Sequence, residues 1–347
     1  MRKKHILKII FSALGIAALI LDSKTAVDAA ANGISLCIQT VIPSLFPFCF
    51  LSILLTSAMN GMVIPALHPL RTLCHMPKGT EGLFIIGLLG GYPTGAQAVS
   101  ECYRQGQISK DCAARLIGFC NNAGPAFIFG IMGSLFHSRF VPGILLTIHI
   151  LSAVITGILI PGECEMAVRN TRRDGISMRS AFKTALFAIA SVCGWIVLFR
   201  VLVGFLERWF LWFLPETVSI AIIGLLELAN GAFALQNLDS ESLRFLFCSF
   251  FLSFGGFCVG MQTISVTAGL ETAWYFTGKI IQTVISLALA SIVTYILIEP
   301  LPFLLPIAFV GLFIILVIGL YLRKNKITVA FSHNWVYNTP KQTKELR

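Results

Sequence analysis

The residues able to do chemistry in this chain lie where long apolar runs break. Gly90-Gly91-Tyr92-Pro93-Thr94-Gly95 interrupts segment 82–99, Asn121-Asn122-Ala123-Gly124-Pro125 interrupts 113–136, and Glu227 through Asn230-Gly231 interrupts 217–236. A broken helix in a bilayer leaves backbone N–H and C=O groups unpaired, which is tolerated only where the backbone is buried in protein or lines a wet cavity. Paired breaks in corresponding halves of a chain point to the substrate site of a transporter. The chemistry is therefore recognition of a solute.

Each break offers specific groups. A helix restarting near Thr94 aims free N–H groups and a partial positive charge at its surroundings, which suits a carboxylate; Tyr92, Thr94, Gly95 and Gln97 are the candidate ligands there. The adjacent amides Asn121 and Asn122 are costly in hydrocarbon unless paired. They read either as cavity lining or as interhelical hydrogen bonds to the hairpin at 82–105. Glu227, read as the only acidic residue well inside an apolar segment, is a candidate proton or cation relay; the alternative makes it a partner for Lys279 or an amide. Asn230 and Gln262 are the second-half counterparts. Lys279 reads as snorkelling to the inner interface, and His149 as a hydrogen-bonded intramembrane histidine.

Other chemistries lack their residues. There is no phosphate loop, catalytic triad or paired-carboxylate motif, so no enzyme is expected. The ten cysteines include no CxxC pair and the six histidines share no ligand spacing, so no disulfide framework, metal or other cofactor is expected. The net charge of +10 sits in short loops and tails, which excludes nucleic acid as its meaning and points to topology and anionic headgroups. The expected partners are a small anionic solute and the lipid bilayer, with homo-oligomerisation left open.

The elements that must position these residues are membrane helices. The chain is 56% hydrophobic, 12% charged, with a mean hydropathy of +0.84, far too apolar for a soluble domain. Apolar segments lie near 6–21, 40–60, 82–99, 113–136, 140–161, 184–205, 217–236, 245–268, 279–298 and 301–322. If all ten cross, the basic loop 162–183 falls outside, against the positive-inside rule. If 82–105 and 217–236 instead enter and turn back, every Lys and Arg lies inside except Lys24, Arg139, Arg200, Arg208 and Arg244. The expected fold is thus all-α: about eight spanning helices plus two re-entrant hairpins. Both termini and loop 162–183 are then cytoplasmic. A Gly175→Cys variant should be unreactive to an impermeant thiol reagent added outside intact cells, and labelling there would overturn this topology.

Residues 1–322 read as one polytopic domain in the bacterial cell membrane, followed by a basic cytoplasmic tail, 323–347. Within it, 38–161 and 183–299 form two repeats entered from opposite sides, an inverted repeat with facing hairpin tips. The basic-then-apolar N-terminus imitates a secretory signal, but is read as an uncleaved first helix. The double-proline run Pro43-Ser44-Leu45-Phe46-Pro47-Phe48 reads as a kinked helix start.

That run, with Gly91-Tyr92-Pro93-Thr94-Gly95-Ala96, Asn122-Ala123-Gly124-Pro125 and Gly278-Lys279 with Gln282, resembles the YlbJ/SpoVV family of sporulation integral membrane proteins. The resemblance runs over about residues 1–322. It implies a "Gate" or nucleoside-recognition domain and movement of dipicolinate, a small planar dicarboxylate, across the outer forespore membrane. A nucleoside or another solute, and a non-transporting scaffold for spore or envelope assembly, are the alternatives.

Overall fold

A computed structural model describes residues 2–58, 62–162, 164, 176–267, 269–298, 308, 311 and 312. Segment 301–322 and the tail lie almost wholly outside these residues. Among them every regular element is helical. In order these are α1 (Arg2–Leu21), α2 (Ser23–Leu36), α3 (Ile42–Ala58), α4 (His68–Leu73), α5 (Glu81–Gly90), α6 (Thr94–Arg104), α7 (Lys110–Cys120) and α8 (Pro125–Phe127). There follow α9 (Val141–Leu159), α10 (Met178–Trp209), α11 (Glu216–Leu226), α12 (Leu228–Ala234), α13 (Glu241–Phe254), α14 (Gly256–Val266) and α15 (Ala273–Val293). Among the described residues six helical stretches are long and apolar enough to cross a membrane: Ser23–Leu55, Lys110–Leu135, Val141–Leu159, Met178–Trp209, Glu241–Val266 and Ala273–Ile296. The chain is a multi-pass membrane protein. Lipid-facing side chains such as Leu186, Phe187, Leu198 and Ile296 remain exposed, as a bilayer requires.

One span begins earlier than its hydropathy suggests. Residues 23–36 form α2, which joins α3 through a π-helical turn at Cys37–Val41. Its small residues Ala26, Ala29 and Gly33 are buried. A Cβ on Gly33 would lie 3.1 Å from Val197 Cα, and one on Gly204 would lie 2.8 Å from Ala29 Cβ. Small residues let two backbones approach closely in lipid, and their weak hydropathy conceals the helix.

The sites of helix breakage fold back on themselves. Gly87 and Gly95 are eight residues apart, about 12 Å along a continuous helix, yet a Cβ on Gly95 would sit 2.9 Å from Gly87 Cα. So α5 and α6 reverse direction at 91–93. In the second half, a Cβ on Gly231 would lie 3.0 Å from Gly224 N, so α11 and α12 reverse in the same way at Glu227. Each reversal rests against the break in the helix pair that follows it. A Cβ on Gly124, between α7 and α8, would sit 3.1 Å from Gly91 Cα. Gly256 opens α14 after Gly255, both at positive φ, 80° and 82°, a conformation costly for residues with a Cβ; its own Cβ would lie 3.2 Å from the Gly224 carbonyl. The succession of hairpin, broken pair and long helix thus occurs twice, closed by α9 and α15.

One expectation is corrected. The sulfurs of Cys112 and Cys164 sit at bonding range, their Cα atoms 4.7 Å apart and 52 residues apart in sequence; no spacing motif could announce a pair that only the return of α9 brings together. Glu81 is a second fully buried carboxylate, placed at the start of α5, where Gly79 N–H donates to it at 2.8 Å and Arg71 approaches to 3.5 Å.

Candidate functional site

A cavity of about 540 Å³ lies between the two hairpin tips. Hairpin 1 contributes Leu89 through Tyr92, hairpin 2 contributes Glu227 through Ala229, and the broken pairs contribute Ala123, Gly124, Val259 and Gln262. The turn Cys37–Val41 and the double-proline start of α3 close it with Gln39, Thr40, Ser44 and Phe48, so that run does more than kink a helix. The walls are mainly apolar with a few polar groups, the usual composition of a small-molecule site.

Of the residues singled out by sequence, Tyr92, Glu227 and Gln262 reach this cavity. Glu227 is 3% exposed. It caps α12, Oε1 accepting from Ala229 N–H at 3.1 Å and Oε2 from Asn230 N–H at 2.6 Å. These bonds satisfy helix donors that would otherwise be orphaned. Its recorded partners are those amides and not Lys279. Asn230 stands next in the cap, off the cavity wall. Gln262 donates to Cys258 Sγ at 3.3 Å.

The start of α6 corrects the expected anion site. Ala96 N–H is taken by Asn121 Oδ1 at 3.3 Å, and Gly95 faces the backbone of Cys120 and Asn121. The helix N-terminus is covered by protein and does not line the large cavity. Thr94, whose hydroxyl donates to the Gly90 carbonyl at 3.1 Å, and Gln97, which accepts from Cys49 Sγ at 3.6 Å, instead line a second, smaller cavity.

Lys279 carries the largest correction. Sequence puts it at the opening of a helix, but α15 begins at Ala273, and the ammonium is fully buried behind Tyr92. Its Nζ donates to the Asn121 carbonyl at 2.5 Å, to Gln282 Oε1 at 2.7 Å and to Tyr92 Oη at 3.2 Å. Tyr92 Oη in turn donates to the Leu252 carbonyl at 3.0 Å. Gln282 Nε2 donates to Asn122 Oδ1 at 3.0 Å, and Asn122 Nδ2 to the Phe119 carbonyl at 2.7 Å. Asn121 Nδ2 donates to Thr263 Oγ1 at 2.9 Å. The Asn121 carbonyl, left without a helical partner because α7 ends at Cys120, is thus satisfied by Lys279 Nζ. Asn121 bonds to hairpin 1 at Ala96 N–H, one of the two roles expected of the pair, whereas Asn122 bonds to α15 through Gln282 and not to hairpin 1. His149 accepts from Ala123 N–H at 3.1 Å, as a hydrogen-bonded histidine should.

Arg115 was missed by sequence reasoning. It is 3% exposed and donates to the carbonyls of Cys74, Gly157 and Ile160 at 2.8, 3.0 and 3.2 Å. It closes the C-terminal end of α9, where carbonyls lack helical partners. Its position inside segment 113–136 was the available signal. Among the described residues no group of three or more His, Cys, Asp or Glu gathers to hold a metal.

No family model matches the chain, and no solved structure does. The chain is 25% identical over 315 residues, covering 77% of each protein, to the sporulation integral membrane protein YlbJ of Bacillus subtilis (strain 168). With the motifs built into the hairpin tips and the Lys279 network, that similarity supports a YlbJ-like family assignment for this membrane protein.

Proposed function

We propose that the chain is a transporter or gated permease for a small solute, which it holds in the cavity between the two hairpin tips. The observation that carries this reading is the cavity itself: about 540 Å³, walled by two reversed helix pairs and by both helix breaks. In this reading the hairpins are re-entrant, the two halves form an inverted repeat, and alternating access moves one half against the other. No catalytic step is assigned. By its resemblance to sporulation membrane proteins, the solute is a small anion such as dipicolinate, moved at the outer forespore membrane. Tyr92, Gln39 and Gln262 offer a ring face and amides for a planar ligand with polar edges.

The Glu227 carboxylate bears on the solute's charge. A dianion entering beside it is repelled unless Glu227 carries a proton, so proton-coupled movement of an anion is the leading form. An uncharged ring such as a nucleoside is the second reading, and the same carboxylate favours it. Uptake of dipicolinate, uridine and an aliphatic dicarboxylate into vesicles of purified protein separates the two; no uptake of any would count against transport.

Glu227→Gln keeps the shape of the cap but turns one acceptor into a donor, at a cost of about 1 kcal/mol. Uptake of the anion is expected to lose its dependence on pH, while binding persists or tightens because a neighbouring negative charge has gone. Retained pH dependence with lowered stability would reduce Glu227 to a helix cap.

A further inference from the structure

The smaller cavity, about 90 Å³, lies on the far side of hairpin 1 from the central one and is walled by α3, α6 and α10. Two observations join them. On α3, Leu45 and Phe48 face the central cavity, and Ser52, the next residue at helical spacing on that face, lines the small one. On hairpin 1, Gly90 lines the central cavity, and a Cβ built there would meet Thr94 Cγ2 at 2.7 Å and Ser52 Oγ at 3.0 Å, both belonging to the small cavity. Gly90, Ser52 and Thr94 therefore meet where a wall residue of one space packs against wall residues of the other.

The face of α6 that lines the small cavity is polar and graded. Thr94, Gln97, Glu101 and Arg104 recur at i, i+3, i+7 and i+10. Thr94 and Gln97 are 3% and 6% exposed, Glu101 is half-buried and Arg104 is exposed. Arg104 and Glu101 pair at 3.0 Å at the outer end. A polar stripe running from the core to the surface is costly on an apolar bundle. Its outer end adjoins Ile176 and Thr184, beside the basic loop 162–183, and so reads as cytoplasmic.

We infer that a small polar solute passes between the central cavity and the cytoplasm along this stripe, between α3 and hairpin 1, through a throat formed by Gly90, Ser52 and Thr94. This rests on the transport reading and adds the path, the throat and the inner mouth. Gly90 is then the residue that sets the throat's width, because any side chain there closes it.

Three variants test it. Gly90→Ala should slow vesicle uptake of dipicolinate about tenfold or more, since one methyl overpacks the throat. Thr94→Ser in that background removes the nearest colliding atom, Cγ2 at 2.7 Å, but leaves Thr94 Cβ at 2.9 Å and Ser52 Oγ at 3.0 Å, so uptake should recover only in part. Thr184→Trp, on a different helix and partly exposed, should obstruct the mouth with the same outcome even if Gly90→Ala does not fold. A readout that needs no solute is reaction of Gln97→Cys with a small cationic methanethiosulfonate, located by mass spectrometry. It should proceed in the folded protein and slow about fivefold or more when Thr184→Trp is added. Unreactive Gln97→Cys, or normal uptake in folded Thr184→Trp, overturns the route; failure of the parent protein to move any solute, with Gln97→Cys still reactive and shielded by Thr184→Trp, sinks the transport reading and leaves the path.

Discussion

Lys279→Met is expected to abolish transport and to lower stability by about 2–6 kcal/mol, because it strands two buried acceptors, the Asn121 carbonyl and Gln282 Oε1, at about 1–3 kcal/mol each. The shape of the side chain is nearly kept, so packing loss is minor and the electrostatic part dominates. The damage should be global. Lys279 stands on α15 in the second half, and its acceptors Asn121 and Tyr92 stand on the first-half break and hairpin. Lys279→Arg should not rescue, since the ammonium is fully buried and a guanidinium needs more room and a planar set of acceptors. Unfolding in mixed micelles, followed by tryptophan fluorescence, measures the loss. An unfolding midpoint equal to that of the parent would mean that the network contributes nothing.

Gly95→Ala is expected to be nearly as harmful, at about 3 kcal/mol or more for overpacking against atoms that cannot rotate away. Its new methyl would overlap the Cys120 carbonyl and press on Gly87 Cα at 2.9 Å and Asn121 Cα at 3.0 Å, all backbone. From sequence alone, a bulky residue at 95 reads as blocking a substrate site in an inserted protein. The contacts show that it would instead pry α6 from α5 and α7, so folded protein itself should be lost. Gly143→Ala is the control: nothing lies within 4 Å of its added methyl, and a substitution away from packed features should stay within about 0.5 kcal/mol. Equal folding yields for the two variants would remove the close-packing explanation.

The legibility of this protein divides along the range of the forces involved. Hydropathy and charge act locally, and they sufficed for an all-helical membrane chain and for the positions of the breaks at 90–93, 121–125 and 227–231. Glycine, proline and amides in an apolar run are improbable unless the backbone turns there, so those turns were written in single residues. Tyr92, Glu227 and Gln262 were recoverable for the same reason. The helix at 23–36 was not, because its evidence is complementarity between its small residues and α10. Nor was the role of Lys279. Sequence places a lysine near a helix start and lets it snorkel, since a lone cation in hydrocarbon has no better option. Only the assembled bundle supplies one, by delivering the Asn121 carbonyl left free where α7 ends, an amide oxygen one turn along its own helix and a tyrosine hydroxyl 187 residues away to a single buried point. The fate of the α6 N-terminus was decided in the same way. Its dipole is a local property, but whether it meets a solute or the side chain of Asn121 depends on which helix packs over it, and that is fixed by glycine contacts between elements distant in sequence.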